Sequence, residues 1–144
     1  MISNNKYLTQ GESTINPELW QSLKEGNYSG GYGLVQWTPA TKYTNWAKAN
    51  GYEIGDGTGQ LYWIDQLSES TGEWLKTSAY NLTWSQFKIS TDTPEYLASA
   101  YLKNFERAGV EKEEARRQYA RSWYDFLESG VEPAGRYIVR FIPA

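Results

Sequence analysis

Apolar residues recur at helical spacing along much of the chain. Leu97, Tyr101 and Phe105 follow one another by four, with Ala98 and Leu102 alongside, and Thr93-Pro94-Glu95 supplies a helix start before them. Ala115, Tyr119, Ser122, Trp123 and Phe126 share a face of a last helix, with Gly130 just past its end. Leu61, Ile64 and Leu67 repeat every third residue, which predicts another helical face. Thr38-Pro39 opens a helix through Tyr43, Trp46 and Ala47 that stops at Asn50-Gly51. Asn16-Pro17-Glu18 has the chemistry of a further start: an N-cap, a proline at the first helical position, and an acid near the positive end of the dipole. That helix is expected to carry Leu19, Trp20 and Leu23 and to end near Gly26. Trp74, Leu75, Leu82, Trp84 and Phe87 suggest one or two short helices.

Glycine punctuates the intervals. The run from Gly26 to Gly33 reads as a turn or short hairpin, and Gly55, Gly57 and Gly59 mark a loop before the Leu61 helix. Beyond Gly130 the character changes, with Pro133 and Gly135 followed by the strand-like 137–142. We expect a mainly helical domain over 1–130, with 131–144 a linker or added strand. A chain of 144 residues suits one domain.

Composition narrows the chemistry. There is no cysteine and no histidine, so disulfides, thiolate metal sites and His-based triads are excluded. Acid–base work must rest on carboxylates, with Tyr or Lys as the lesser candidates, and no metal or other cofactor is expected. The net charge of −3 argues against nucleic acid as a partner. No stretch is long and apolar enough for a membrane span, and residues 1–6 lack the apolar core of a secretory signal. Seven Trp and twelve Tyr stand beside only four Phe. Rings with a polar edge suit sugars, although filling a helical core is the commoner duty of an aromatic residue.

Two stretches carry more than packing: 11-GESTINPELWQSL-23 and 30-GGYGLVQWTPA-40. Glu-Ser-x-x-Asn-Pro followed by Gly-x-Gly-Leu-x-Gln resembles the signature of the lysozyme and lytic-transglycosylase superfamily. With 97-LASAYLKNFERAG-109 and 116-RRQYARSWY-124, the sequence is similar to the phage tail lysozyme family over about residues 11–129. The resemblance implies a lysozyme-like α+β fold, with a small β-hairpin beside the active-site groove. The family precedes its glutamate with a long apolar helix. Residues 4–10 cannot supply one, so that helix is expected to be missing.

By the same resemblance Glu12 is the catalytic acid. Glycosidic cleavage needs a protonated carboxyl at the leaving oxygen, and burial against a ring is how a carboxyl stays protonated near neutral pH. Ser13 would orient that acid or touch substrate, or it makes a local turn hydrogen bond. Gln36 matches the family's cleft glutamine, whose amide suits N-acetyl groups. Gly31 and Gly33, two apart in an extended strand, would share a bare face open to a sugar ring or to a helix. Tyr32 and Trp37 are candidate sugar platforms, with a core role the alternative for Trp37. Glu25, at the entrance to the glycine run, is the preferred second carboxylate, ahead of Asp56. Glu106 and Arg107 match a further family segment and read best as a brace for the last helix.

The function implied is a peptidoglycan glycosidase acting on the bond between N-acetylmuramic acid and N-acetylglucosamine, carried on a phage tail or acting outside the cell at the wall. The partners implied are glycan strands and other parts of a tail. A lytic transglycosylase, or a non-catalytic tail domain that holds glycan, are the alternatives.

Overall fold

The computed structural model describes residues 14–107, 112–130 and 140–141. The chain divides into two compact units, Met1–Asp65 with Gly135–Ala144, and Gln66–Ala134. Helices dominate both, and strands are almost absent among the described residues.

In the first unit, β1 (Thr14–Ile15) pairs in parallel with β2 (Arg140–Phe141), Thr14 opposite Arg140 and Ile15 opposite Phe141. Within the strand-like tail, Arg140 and Phe141 are thus the described residues that pair with β1. The helix expected from Asn16 is not formed. Asn16 does cap locally, accepting from the Glu18 amide at 2.9 Å, but only a 3-10 turn, Gln21–Leu23, follows. Tertiary hydrogen bonds explain the difference. The Gln21 N–H donates to the Gly31 carbonyl at 2.8 Å, and the Gly33 N–H donates to that of Leu19 at 2.9 Å. These bonds tie 19–21 to the glycine run, and Ser22 and Leu23 turn left-handed, with φ of 56° and 59°. Local helix propensity yields to that pairing.

The glycine run itself contains isolated antiparallel bridges, Trp20 with Tyr32 and Tyr32 with Trp37, in place of the expected hairpin ladder. Helix α1 (Thr41–Ala49) ends at Asn50, before Gly51 with its φ of +77°. Helix α2 (Gly57–Leu67) begins inside the expected loop, because Asp56 caps it: its Oδ1 accepts from the Thr58 amide at 2.8 Å. The inward face of α2 also differs from the one the leucine spacing suggests. Gly59, Gln60 and Trp63 are buried, whereas Leu61 is 48% exposed. The core is aromatic. Trp37 stacks on Tyr43 at 4.5 Å and meets Trp63 edge-on at 5.2 Å, pairs of a kind that contribute about 0.5–1.5 kcal/mol beyond their burial.

The second unit follows its sequence closely. Helix α3 (Trp84–Lys88) opens with a capping box between Thr83 and Gln86. Helix α4 (Pro94–Tyr101) opens on Thr93, whose side chain accepts from the Tyr96 amide, with proline in the first turn. A π-helical turn, Leu102–Glu106, prolongs α4 and ends at Arg107 in the left-handed region. Helix α5 (Glu113–Ser129) stops at Gly130, which has φ +70° and bonds back to the Phe126 carbonyl at 2.7 Å. Trp74 packs on Trp84 and Phe87. Buried Asn104 ties the intervening loop together, donating to the Tyr80 carbonyl and accepting from the Thr77 hydroxyl, both at 2.9 Å.

Candidate functional site

The first unit holds a groove of about 810 Å³. Four carboxylates line it, Glu18, Glu25, Glu53 and Asp56, together with the rings of Trp20, Tyr28 and Tyr32. The local chain path explains this gathering. The 3-10 turn and its left-handed residues swing Glu25 and Gly26 back toward Trp20, and the bridge to Tyr32 sets that ring beside the Trp20 indole, 4.4 Å between centroids. Tyr28 meets the other side of Trp20 edge-on at 5.2 Å. The opposite part of the lining, 53–56, leads into α2. It lies so close to Glu18 that a Cβ on Gly55 would stand 2.7 Å from Glu18 Cγ.

The phenol of Tyr32 is held well above its ordinary range, first by burial and then by the charge of Glu18, with smaller contributions from Tyr43, Tyr28 and Glu25. It stays neutral through the physiological range, but Tyr32 is 2% exposed, so its ring is packed beneath the groove and is not the sugar platform its sequence position suggests. Burial, then Asp56, pushes the Tyr43 phenol up to about 12. Among the described residues, no group of three or more acidic side chains is arranged to hold a metal ion.

Of the residues singled out in the sequence, Glu12 and Ser13 lie outside the described residues. Glu25 and Tyr32 line the groove, as does Asp56. Gln36 is not among its lining residues. Its Nε2 donates to the carbonyls of Leu19 at 3.0 Å and Gly33 at 2.9 Å. The cleft-wall amide read from the sequence is therefore engaged with backbone, and it clasps 19 to the glycine turn. Gly33 is not in an extended strand, having φ +81°. A Cβ there would lie 2.7 Å from Gln60 Oε1, and one on Gly31 would lie 2.9 Å from Gln36 Oε1. Both glycines make room for internal side chains rather than exposing a bare face. Trp37 is 2% exposed and stacked against Tyr43, which places it in the core and not on a sugar-binding surface. Glu106 pairs with Arg116 at 2.7 Å and Arg107 with Glu73 at 3.1 Å, so both brace the second unit.

Three residues of consequence had no cue in the sequence. Glu18 reads as an ordinary helix-start acid and Glu53 as a loop charge, yet both line the groove. Gln60 sits in a segment that looks like the polar side of a helix, but it is completely buried. Gly33 leaves the room that its carboxamide fills.

The family described as phage tail lysozyme matches residues 8–127. Morphogenesis protein 1 of Bacillus phage B103 is 39% identical over 132 residues, 92% of this chain and 35% of that protein. The chain thus spans about a third of the length of this curated relative.

Proposed function

The chain belongs to the phage tail lysozyme family, and from that premise we propose that it cleaves the β-1,4 bond between N-acetylmuramic acid and N-acetylglucosamine in peptidoglycan. The observation that carries this reading is the family match across 8–127, which includes Glu12, Ser13 and the run from Gly31 to Gln36. The groove in the same unit supports it, since aromatic faces beside carboxylates suit a chain of hydroxylated rings.

In this scheme Glu12, as a protonated carboxyl, donates to the glycosidic oxygen while positive charge develops at the anomeric carbon. Ser13 orients that carboxyl. Glu25 accepts a proton from the attacking water, which requires a carboxyl separation of about 6.5–9.5 Å and gives an inverted product. The groove's negative charge favours the cation-like sugar as the bond breaks. Trp20 and Tyr28 provide the aromatic faces along the groove, and Gly31, Tyr32, Gly33, Gln36 and Trp37 shape the wall behind them. The name of the B103 relative, Morphogenesis protein 1, fits delivery on a phage particle. Attachment to a virion supplies local concentration at the wall, which an acidic domain lacks on its own.

Purified Gram-positive wall digested with the protein and examined by mass spectrometry tests the reading. New reducing ends are the expected products. Ends carrying 1,6-anhydro sugar would replace hydrolysis with transglycosylation, in which the sugar's own hydroxyl substitutes for water. A second reading, a tail domain that holds glycan without cutting it, is favoured by the word morphogenesis in the relative's name. Wall binding with no soluble product would select it.

A further inference from the structure

Gln60 has no exposed surface, and its carboxamide reaches three separate segments. Its Oε1 accepts from the Leu34 N–H at 2.8 Å. Its Nε2 donates to the carbonyls of Pro17 at 2.6 Å and Ile54 at 2.9 Å. Pro17 leads directly into Glu18, and Ile54 is itself a groove residue that leads into Gly55 and Asp56. The segment bearing Glu18 and the segment bearing Asp56 are therefore set at a fixed separation by one planar group. Gly55 marks how tight that setting is, since it leaves no room for a Cβ against Glu18. Gln36 secures the same stretch one step further on, through the Leu19 carbonyl.

The chemistry demands a carboxamide. Two donors and one acceptor are needed in one plane, and an ionised carboxylate offers only acceptors while an aliphatic chain offers nothing. In a site closed to water, each lost bond leaves a backbone group without a substitute partner. Small shifts of a wall are felt strongly, because a displacement of about 1 Å at a reacting or binding group can cost roughly a hundredfold.

We propose that Gln60 is a positioning residue for the ligand of this groove, acting through the Pro17 and Ile54 carbonyls on Glu18 and the 53–56 wall without touching ligand itself. The proposal rests on the reading that the groove takes glycan. It divides the two ends of the carboxamide: the acceptor holds the glycine turn, and the donors hold the groove walls.

Two variants of the full chain test this, with amide NMR spectra, thermal melts and titration with tetra-N-acetylchitotetraose. Gln60→Glu retains the shape and the acceptor but loses the donors. The expected result is a Leu34 amide close to its wild-type position, displaced Glu18 and Gly55 amides, and affinity weakened by about tenfold, which is the effect of one interaction of ordinary strength. Gln60→Met, of similar volume without hydrogen bonds, should displace all three amides. A folded Gln60→Glu protein with unshifted Glu18 and Gly55 amides, or with shifted walls and wild-type affinity, would overturn the proposal. Unfolding of both variants would make Gln60 a folding determinant and remove its positioning assignment. If wild type ignores chitotetraose, the glycan reading falls, and the pattern of amide shifts alone decides whether Gln60 sets the walls.

Discussion

Gly33 and Gln60 occupy one another's space: the carboxamide oxygen of Gln60 lies 2.7 Å from where a Cβ on Gly33 would stand. Gly33 also turns left-handed, with φ +81°. Gly33→Ala therefore meets two separate penalties. The backbone term is about 1–2 kcal/mol, and forcing an extra carbon into a packed interior adds roughly 1–3 kcal/mol. For a chain of this size each kcal/mol lowers the melting temperature by about 2–4 °C. A thermal melt should show a fall of roughly 4–20 °C, and a wild-type melt would mean that the turn re-forms without its contact to Gln60.

A second glycine separates propensity from packing. Gly59 lies within α2, where alanine would ordinarily be preferred by about 0.5–1 kcal/mol. Its Cβ, however, would stand 2.7 Å from both the Tyr43 hydroxyl and the Tyr52 ring. Both rings are held in place, Tyr43 by Trp37 and Tyr52 by Trp46, so overpacking at about 1–3 kcal/mol outweighs the helix gain. Denaturant unfolding should find Gly59→Ala less stable than wild type by about 1 kcal/mol or more. A stabilised variant would show that the two tyrosines yield.

Among the acids of the proposed reaction, Glu12 is the decisive test. Glu12→Gln preserves shape and removes the proton, so wall-clearing rates should drop by at least about 10²–10⁴-fold with an unchanged melt. Glu25→Gln should slow turnover and leave some. Full activity in a folded Glu12→Gln protein would assign the acid to another residue, and the groove's own Glu18 would be the first to examine.

The second unit carries a measurable pH signature. Arg121 grips Glu95 with bonds of 2.6 and 2.8 Å between α5 and α4, and the hydrogen bond to Arg121 is the main cause that holds the Glu95 carboxyl below its ordinary range. A carboxyl lowered in the folded state contributes stability that is fully present above its unfolded pKa. That contribution is lost as pH falls through the folded value. Melting temperature should therefore decline on acidification below the ordinary carboxylate range, and Glu95→Gln should flatten part of that decline. Identical pH dependence in the two proteins would show that the pair contributes nothing to it.

What the sequence made legible depended on whether local signals agreed with tertiary demands. Helix α4 could be read from Thr93-Pro94 and helix α5 from its stop at Gly130, since cap chemistry and apolar spacing point the same way there. At Asn16-Pro17-Glu18 the signals conflict. A good helix start is overruled by hydrogen bonds from 19 to 21 onto 31 and 33, partners that only the folded chain supplies. On α2 the leucine spacing marks a flank, with Leu61 exposed and Ile64 and Leu67 half-buried, because the innermost face is made of a glycine, a glutamine and a tryptophan. The glycine run reads as a bare face open to a sugar ring or to a helix, whereas Gly31 and Gly33 accommodate the side chains of Gln36 and Gln60. A buried amide leaves no mark in a hydrophobicity pattern, so the residues that frame the groove were the hardest to find.

The two side chains that clasp the groove's frame, Gln36 and Gln60, are both carboxamides. Such groups neither gain nor lose protons across the range in which carboxylates titrate. These two clasps are thus silent to acid and base, although the groove they frame is lined with carboxylates. Whatever pH dependence the activity of this protein shows, it does not originate in the two amides that hold the groove's frame.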